Sequence, residues 1–368
     1  MSSLYSHNHV SFPTRHRRLS NPLSIPLDKS KLLLAAAVVS ISTSSNLNFS
    51  SRQFASSASN PPSNPSSSRQ PPSAASPPVA SFQYCVDLVF KNDYENYLAT
   101  LLLPAGCQRI MFAIRAFNVE LALVRNQIQR YSGTTGIYRL QFWKDTIDML
   151  YGVKKGPVPR QPVAIALKKF ASSADKQLLY QLVEARQATL GDRPFVNVAA
   201  LEEYGMKTHG ALLRCAVAAI DQEKKSLSAE NAAVCQQVCD ILGSALGLGT
   251  HLRATGPLLA RGIVVLPADL MSIHGLSQEA VFSARDPPAF KSLSRDLAQL
   301  AEKRLAEARG MTSKVPREFR PAFLPAVGLE NYLTRLKKSD YNLLDAKLQR
   351  TYGLLSWQLG WRKLCGRY

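Results

Sequence analysis

Residues 239–267 read C-D-I-L-G-S-A-L-G-L-G-T-H-L-R-A-T-G-P-L-L-A-R-G-I-V-V-L-P, a helical run passing into a basic segment that closes on Leu266-Pro267. Ala254 and Leu258 stand four residues apart and so share one helix face. Both side chains are apolar and offer no oxygen to a ligand. The neighbouring cations, Arg253 and Arg261, suit a phosphate or other anion instead. His209, His251 and His274 have no nucleophile or carboxylate identifiable beside them in sequence, so they read as core or surface groups.

Outward from this stretch the chain is a succession of helical periods. A first helix passes through Asp87, Val89, Tyr94, Tyr97 and Leu101 and stops at Pro104-Ala105-Gly106. The next, about 107–129, sets Ile110, Ala113, Ile114, Phe117, Leu121 and Val124 on one face. Tyr138-Arg139-Leu140-Gln141-Phe142-Trp143 opens another helix, and Pro157, Pro159 and Pro162 mark the loop before the one from Val163. Gly205 and Gly210 permit close helix packing in the segment 198–220. Two further helices follow at about 289–309 and 321–336. Glu120, Asp145 and Asp148 fall on solvent faces of their periods and read as surface acids, and Trp143 as core.

These residues resemble the squalene/phytoene synthase family. Ala245, Leu246, Leu248, Leu252, Arg253, Gly256, Arg261, Gly262, Leu266 and Pro267 fall in the family's register, as do Tyr97-Leu98-Ala99, Leu103-Pro104 and Ala116-Phe117. The resemblance spans about 280 residues. It implies an all-α, single-domain isoprenoid-synthase-like helical bundle with a disordered N-terminal extension. In that register the family's two Asp pairs fall at Ala122 and Asn126 and at Ala254 and Leu258, and its Asn falls at Thr250. An enzyme of the family ionises an allylic diphosphate held by Mg²⁺, which needs hard oxygen ligands. The departures therefore imply no catalytic residue, no metal site and no cofactor.

The ends of the chain differ from its middle. Residues 1 to about 82 are rich in Ser, Pro and Asn, with seven of the chain's 45 basic residues and one of its 26 acids, Asp28. This composition resembles an organellar transit peptide, and Arg52-Gln53-Phe54-Ala55 resembles a matrix-processing site. The expected division is a mitochondrial transit peptide over 1–54, a disordered Ser/Pro-rich arm over 55–82 and the helical domain over 83–368. Chloroplast import is the rival address. The net charge of +19 attracts polyanions without choosing among them. No aromatic RNA-binding pattern or zinc-finger spacing supports nucleic acid as a partner. The six Cys are sparse and read as buried reduced thiols. At the far end Trp357 and Trp361 lie one helical turn apart beside Arg362 and Lys363, a pattern suited either to a bilayer interface or to a closing helix. No run after the N-terminal region reads as long and apolar enough to span a membrane.

One branch of the family consists of mitochondrial proteins that lack the Asp motifs and act in assembly of respiratory complex I. The run Phe117-Asn118-Val119-Glu120-Leu121 with Gln141-Phe142-Trp143 resembles that branch. The implied protein is a peripheral, matrix-side component of the inner membrane, without turnover. Its implied partners are complex I subunits or other assembly factors and the anionic lipid surface. The alternatives are an active Mg²⁺-dependent prenyl transferase and an isoprenoid- or lipid-binding protein.

Overall fold

Proline, glycine and side-chain caps punctuate the chain into helices, and among the described residues there is no strand. The computed structural model describes residues 77–127, 133–191, 193–283, 287–350 and 352–368. The expected transit peptide over 1–54 lies outside them, as do residues 55–76 of the expected arm. In chain order the helices are α1 (Pro77–Asn92), α2 (Tyr94–Leu101), α3 (Ala105–Gln127), α4 (Gly133–Leu150), α5 (Pro162–Phe170), α6 (Lys176–Ala188) and α7 (Val198–Gly205). A π-helical turn (Met206–Gly210) joins α7 to α8 (Ala211–Lys224), and α9 (Ala229–Leu259) follows. Then come α10 (Ala268–Ile273), α11 (Gln278–Phe282), α12 (Pro287–Gly310), α13 (Pro325–Lys338) and α14 (Leu355–Cys365).

Local chemistry sets several starts. Asp175, Asn197 and Ser228 each accept a backbone N–H of the following turn, capping α6, α7 and α9. The first expected helix is in fact two: Asn92-Asp93 interrupts it without any Pro or Gly, and Asp93 takes non-helical dihedrals (φ −145°, ψ 55°). The helical body also begins at Pro77, ahead of the expected boundary at 83, and Ser81 is already buried.

The 31-residue α9 is the centre of the bundle, packed against α12, α7 and the π turn. By length and composition alone it is apolar enough to cross a membrane, contrary to the expectation that no such run exists. Its buried positions, from Cys235 through Leu242, Ser244, Leu248 and Leu252 to Leu259, surround the helix, so it serves as a core element. Four glycines bring it into backbone contact with the chain segment in front. A Cβ on Gly247 would lie 2.4 Å from Gly205 Cα, and one on Gly243 would lie 2.6 Å from Gly210 Cα. The close packing expected of Gly205 and Gly210 is therefore a crossing of glycine on glycine. Glu202 ties the same region together, accepting from Ser244 Oγ at 2.8 Å and from Arg304 Nε at 2.7 Å.

Pro257 sits inside α9 and supplies no N–H to the carbonyl four residues earlier. That carbonyl belongs to Arg253, and Gln349 Nε2 donates to it at 3.1 Å. An orphan backbone acceptor is thus satisfied from a distant turn, which fixes the end of α9 where Arg253, Ala254 and Leu258 sit.

The last helix closes the bundle on one face only. Leu355 and Leu359 are buried against Leu98, Ala99, Leu102, Leu324 and Val327. Beyond α14 the chain folds inward: Tyr368 is 1% exposed, its hydroxyl donates to the Ala308 carbonyl at 3.0 Å, and Arg309 Nε donates to its backbone oxygen at 2.8 Å. Five of the six cysteines are buried as expected, but Cys365 is exposed.

Candidate functional site

A cavity of about 510 Å³ opens between α3, α6, the π turn, α9 and α13. Ala122 on α3 and Thr250, Ala254 and Leu258 on α9 all line it. Positions 132 residues apart in sequence, picked out only by register, therefore meet on one wall. Asn126 lies one turn farther along α3, and its side chain is outside the description. Among the described residues no three His, Cys, Asp or Glu side chains gather in a metal-binding group.

The wall's charges are arranged against a cation. Two carboxylates line it, Asp93 and Glu95, and each faces an arginine. Glu95 pairs with Arg253 at 3.0 Å, and Asp93 faces the buried Arg115 at 3.9 Å. Burial outweighs that longer attraction and raises the Asp93 pKa, with Arg115 and Asn96 opposing. Three arginines line the wall: Arg125, Arg186 and Arg253. Arg253 also stacks over the Tyr332 ring at 4.8 Å. Arg125 Nη2 donates to the carbonyls of Thr189 at 2.9 Å and Gly191 at 2.7 Å.

Both cavity histidines are held neutral. Burial, with Arg186 adding to it, drives His209 down to about 3, and burial drives His251 to about 4. His209 Nε2 lies 3.2 Å from Thr250 Oγ1, and His251 Nδ1 lies 3.0 Å from the Gly247 carbonyl. Phe195 and Tyr204 meet the His251 ring edge to face, with centroids 5.1 and 5.4 Å away. The π turn aims His209 and Thr208 inward, so the irregular helix that glycine packing permits also shapes the wall. Among the described residues neither imidazole is bonded to a carboxylate that would orient it.

The sequence candidates are brought together only in part. Arg253 lines the cavity; Arg261 is exposed two residues beyond the end of α9 and is not in the lining. Glu120 is turned away from the cavity, accepting from Tyr84 Oη and Gln161 Nε2 at 3.2 Å each. Asp145 pairs with Lys154 at 2.8 Å, Asp148 accepts from Tyr180, and Trp143 is buried edge to face on Phe117, as their periods predicted. His274 lies 2.8 Å from Asp296, a partner that sequence spacing concealed. On α14, Trp357 and Trp361 are 56% and 59% exposed, and Leu354 beside them is 59% exposed. Arg362 turns instead to Glu330 at 2.8 Å, while Lys363 is half-buried and burial lowers its pKa.

Sequence reasoning missed Arg186 and dismissed His209. A signal for Arg186 existed: Leu179, Leu182 and Val183 make the buried stripe of α6, and Arg186 occupies the stripe's next position. For His209 there was none, because its cavity position depends on the π turn.

Comparison with known proteins gives the same shape and a narrower kinship. The family model described as squalene/phytoene synthase matches residues 89–361. A mouse (Mus musculus) protein named NADH dehydrogenase (ubiquinone) complex I, assembly factor 6 is 37% identical over 288 residues, covering 77% of this chain and 83% of its own. The homolog of that name from Drosophila melanogaster is 34% identical over 294 residues, covering 78% and 84%. Among solved structures, a dehydrosqualene synthase in complex with ligand superposes with a TM-score of 0.64 at 20% identity, covering 78% of this chain and 96% of its own. A squalene synthase from Alicyclobacillus acidocaldarius gives 0.58 at 16% identity, with 72% and 96% covered.

Proposed function

The chain belongs to the squalene/phytoene synthase family, and from that premise we propose that it works without turnover, as a helical scaffold in the assembly of mitochondrial respiratory complex I. The observation that carries this reading is the meeting of Ala122, Ala254 and Leu258 on one cavity wall, where paired carboxylates would be required to hold Mg²⁺. Losing two or three such ligands, each contributing a few kcal/mol to a charged transition state, lowers a rate by many orders of magnitude. The names of relatives at 34–37% identity support the assembly role and, with it, a mitochondrial address.

Chemistry at α14 supports a finer location. A transit peptide within residues 1–54 delivers the chain to the matrix, where it meets the inner membrane peripherally. Leu354, Trp357 and Trp361 form an exposed apolar strip on a helix whose other face is anchored in the bundle. Tryptophan at that exposure suits the headgroup region of a bilayer, and the excess of basic over acidic residues that persists beyond residue 54 favours an anionic leaflet. Complex I subunits or other assembly factors would be met at that surface. Deleting the gene and resolving respiratory complexes on a native gel tests the role. Selective loss of the complex I band, restored by the wild-type chain, is the expected result; an unchanged band, or equal loss of every complex, overturns it.

A further inference from the structure

A second depression, of about 400 Å³, lies between α3, α4 and the start of α5, and shares only Val124 with the cavity described above. Its lining is aromatic. Tyr138 and Phe142 stand one turn apart on α4, 75% and 41% exposed, with Trp143 buried edge to face on Phe142 at 5.3 Å. Rings left open to water side by side mark a contact surface. One carboxylate lines the groove, Glu120. Tyr84 Oη and Gln161 Nε2, both neutral, donate to its Oε1 at 3.2 Å each, while Oε2 accepts from no described residue. Arg139, the groove's one cation, is exposed at the rim and has a partner of its own. The groove therefore offers stacked rings and a carboxylate oxygen awaiting a cation.

The chain carries the complementary chemistry just upstream of α1. Arg69-Gln70-Pro71-Pro72 joins one cation to two prolines, and Arg69 is the only charged residue between Arg52 and Asp87. Consecutive prolines favour the polyproline II form, which docks on aromatic-lined grooves at small entropic cost. A guanidinium matches a carboxylate edge. The reach suffices: Pro77 lies seven helical residues from Tyr84, about 10 Å of rise, and Tyr84 Oη touches Glu120. Eight residues from Arg69 to Pro77 span about 25 Å in polyproline form. We propose that residues 69–72 dock in this groove of their own chain, the prolines on Tyr138 and Phe142 and the Arg69 guanidinium on Glu120 Oε2. A composition too polar to build a core is no obstacle, because docking of this kind needs none.

The test is limited trypsin digestion of the full 368-residue chain, followed by mass spectrometry, and the sequence supplies its own control. Residues 50–53 and 67–70 both read Ser-Ser-Arg-Gln, so trypsin meets the same local sequence at Arg52 and at Arg69, and only the second is in the groove. Each rate is taken relative to the same bond in a synthetic peptide. Cleavage of a segment that opens and closes rapidly follows its open population. Arg69 should therefore be cut at least tenfold more slowly than Arg52, by a factor unchanged on twentyfold dilution. Glu120→Gln removes the charge but keeps an acceptor for Tyr84 and Gln161, and should bring the two rates within threefold. Tyr138→Ser should do the same, and that ring is exposed enough for its loss to leave the core intact if Glu120→Gln fails to fold. Equal cutting of the two bonds in the wild type overturns the proposal. So does protection of Arg69 that survives in a folded Glu120→Gln or Tyr138→Ser chain. Protection lost on dilution also refutes it, by giving the groove to the arm of a second copy.

Discussion

Replacing Gly247 by Ala tests whether the glycine crossing holds the cavity wall in place. The new methyl would lie 2.4 Å from Gly205 Cα and 3.2 Å from Gly205 N, both backbone atoms with no rotamer to escape into. Carbon atoms in ordinary contact sit about 3.5–4.0 Å apart, so α9 and the α7–π–α8 segment must separate by roughly 1 Å. Overpacking of this kind costs about 1–3 kcal/mol, and a backbone clash belongs at the upper end. Alanine returns about 1 kcal/mol through helix propensity, leaving a net loss of roughly 2 kcal/mol. For a body of this size that lowers Tm by about 4 °C. The matched control is Gly310→Ala in α12, where a Cβ meets nothing within 4 Å and the same propensity gain is unopposed. Differential scanning calorimetry should show the first variant melting lower and the second unchanged or higher. If Gly247→Ala melts within 1 °C of the wild type, the close crossing is refuted, and with it the account of how His209 and Thr250 come to share a cavity.

The other expectations concern separate parts of the fold. Tyr368→Ala removes a fully buried ring and its bond to the Ala308 carbonyl, and should cost about 3–5 kcal/mol, read by chemical denaturation. His209 and His251 are neutral when folded, while the unfolded chain takes up protons near the ordinary value of 6.5. Stability should therefore be constant above about pH 7 and fall as pH drops from 6.5 toward 4, by up to about 1.4 kcal/mol per pH unit for each histidine. Paired His209→Gln and His251→Gln substitutions should flatten that part of the Tm profile; an unflattened profile assigns the loss to other groups. Trp357→Ser with Trp361→Ser removes about 100 Å² of exposed apolar ring from each position, roughly 2 kcal/mol apiece in interfacial binding. Cosedimentation with anionic vesicles should fall a hundredfold or more at unchanged Tm, and undiminished binding would reject α14 as the membrane contact.

Most helices were legible because punctuation and period agree. Pro104 and Gly106 mark the break before α3, whose buried face is set by Ala113, Ile114, Phe117, Leu121 and Val124, the stripe that the spacing predicts. The break at Asp93 was not, since it depends on tertiary contacts rather than on a breaker residue. Length and hydropathy of α9 were equally ambiguous alone: the same 31 residues satisfy a membrane span and a bundle core, and only the packing around all sides decides. At the site, register placed Ala122, Ala254 and Leu258 on a common wall, because a helix face is a local property. The charge of that wall was not legible, because Arg186 and Glu95 reach it from helices far away in sequence. The pattern at Trp357 and Trp361 suited two roles, and α14 has the geometry of both, with Leu355 and Leu359 packed inside and the indoles outside.

The central claim, a synthase shell without metal chemistry, is tested most directly by incubating the purified chain with farnesyl or geranylgeranyl diphosphate and Mg²⁺ and measuring released pyrophosphate. The account predicts release no faster than in buffer with Mg²⁺ alone. Turnover above that level, abolished by EDTA and restored by added Mg²⁺, would contradict it.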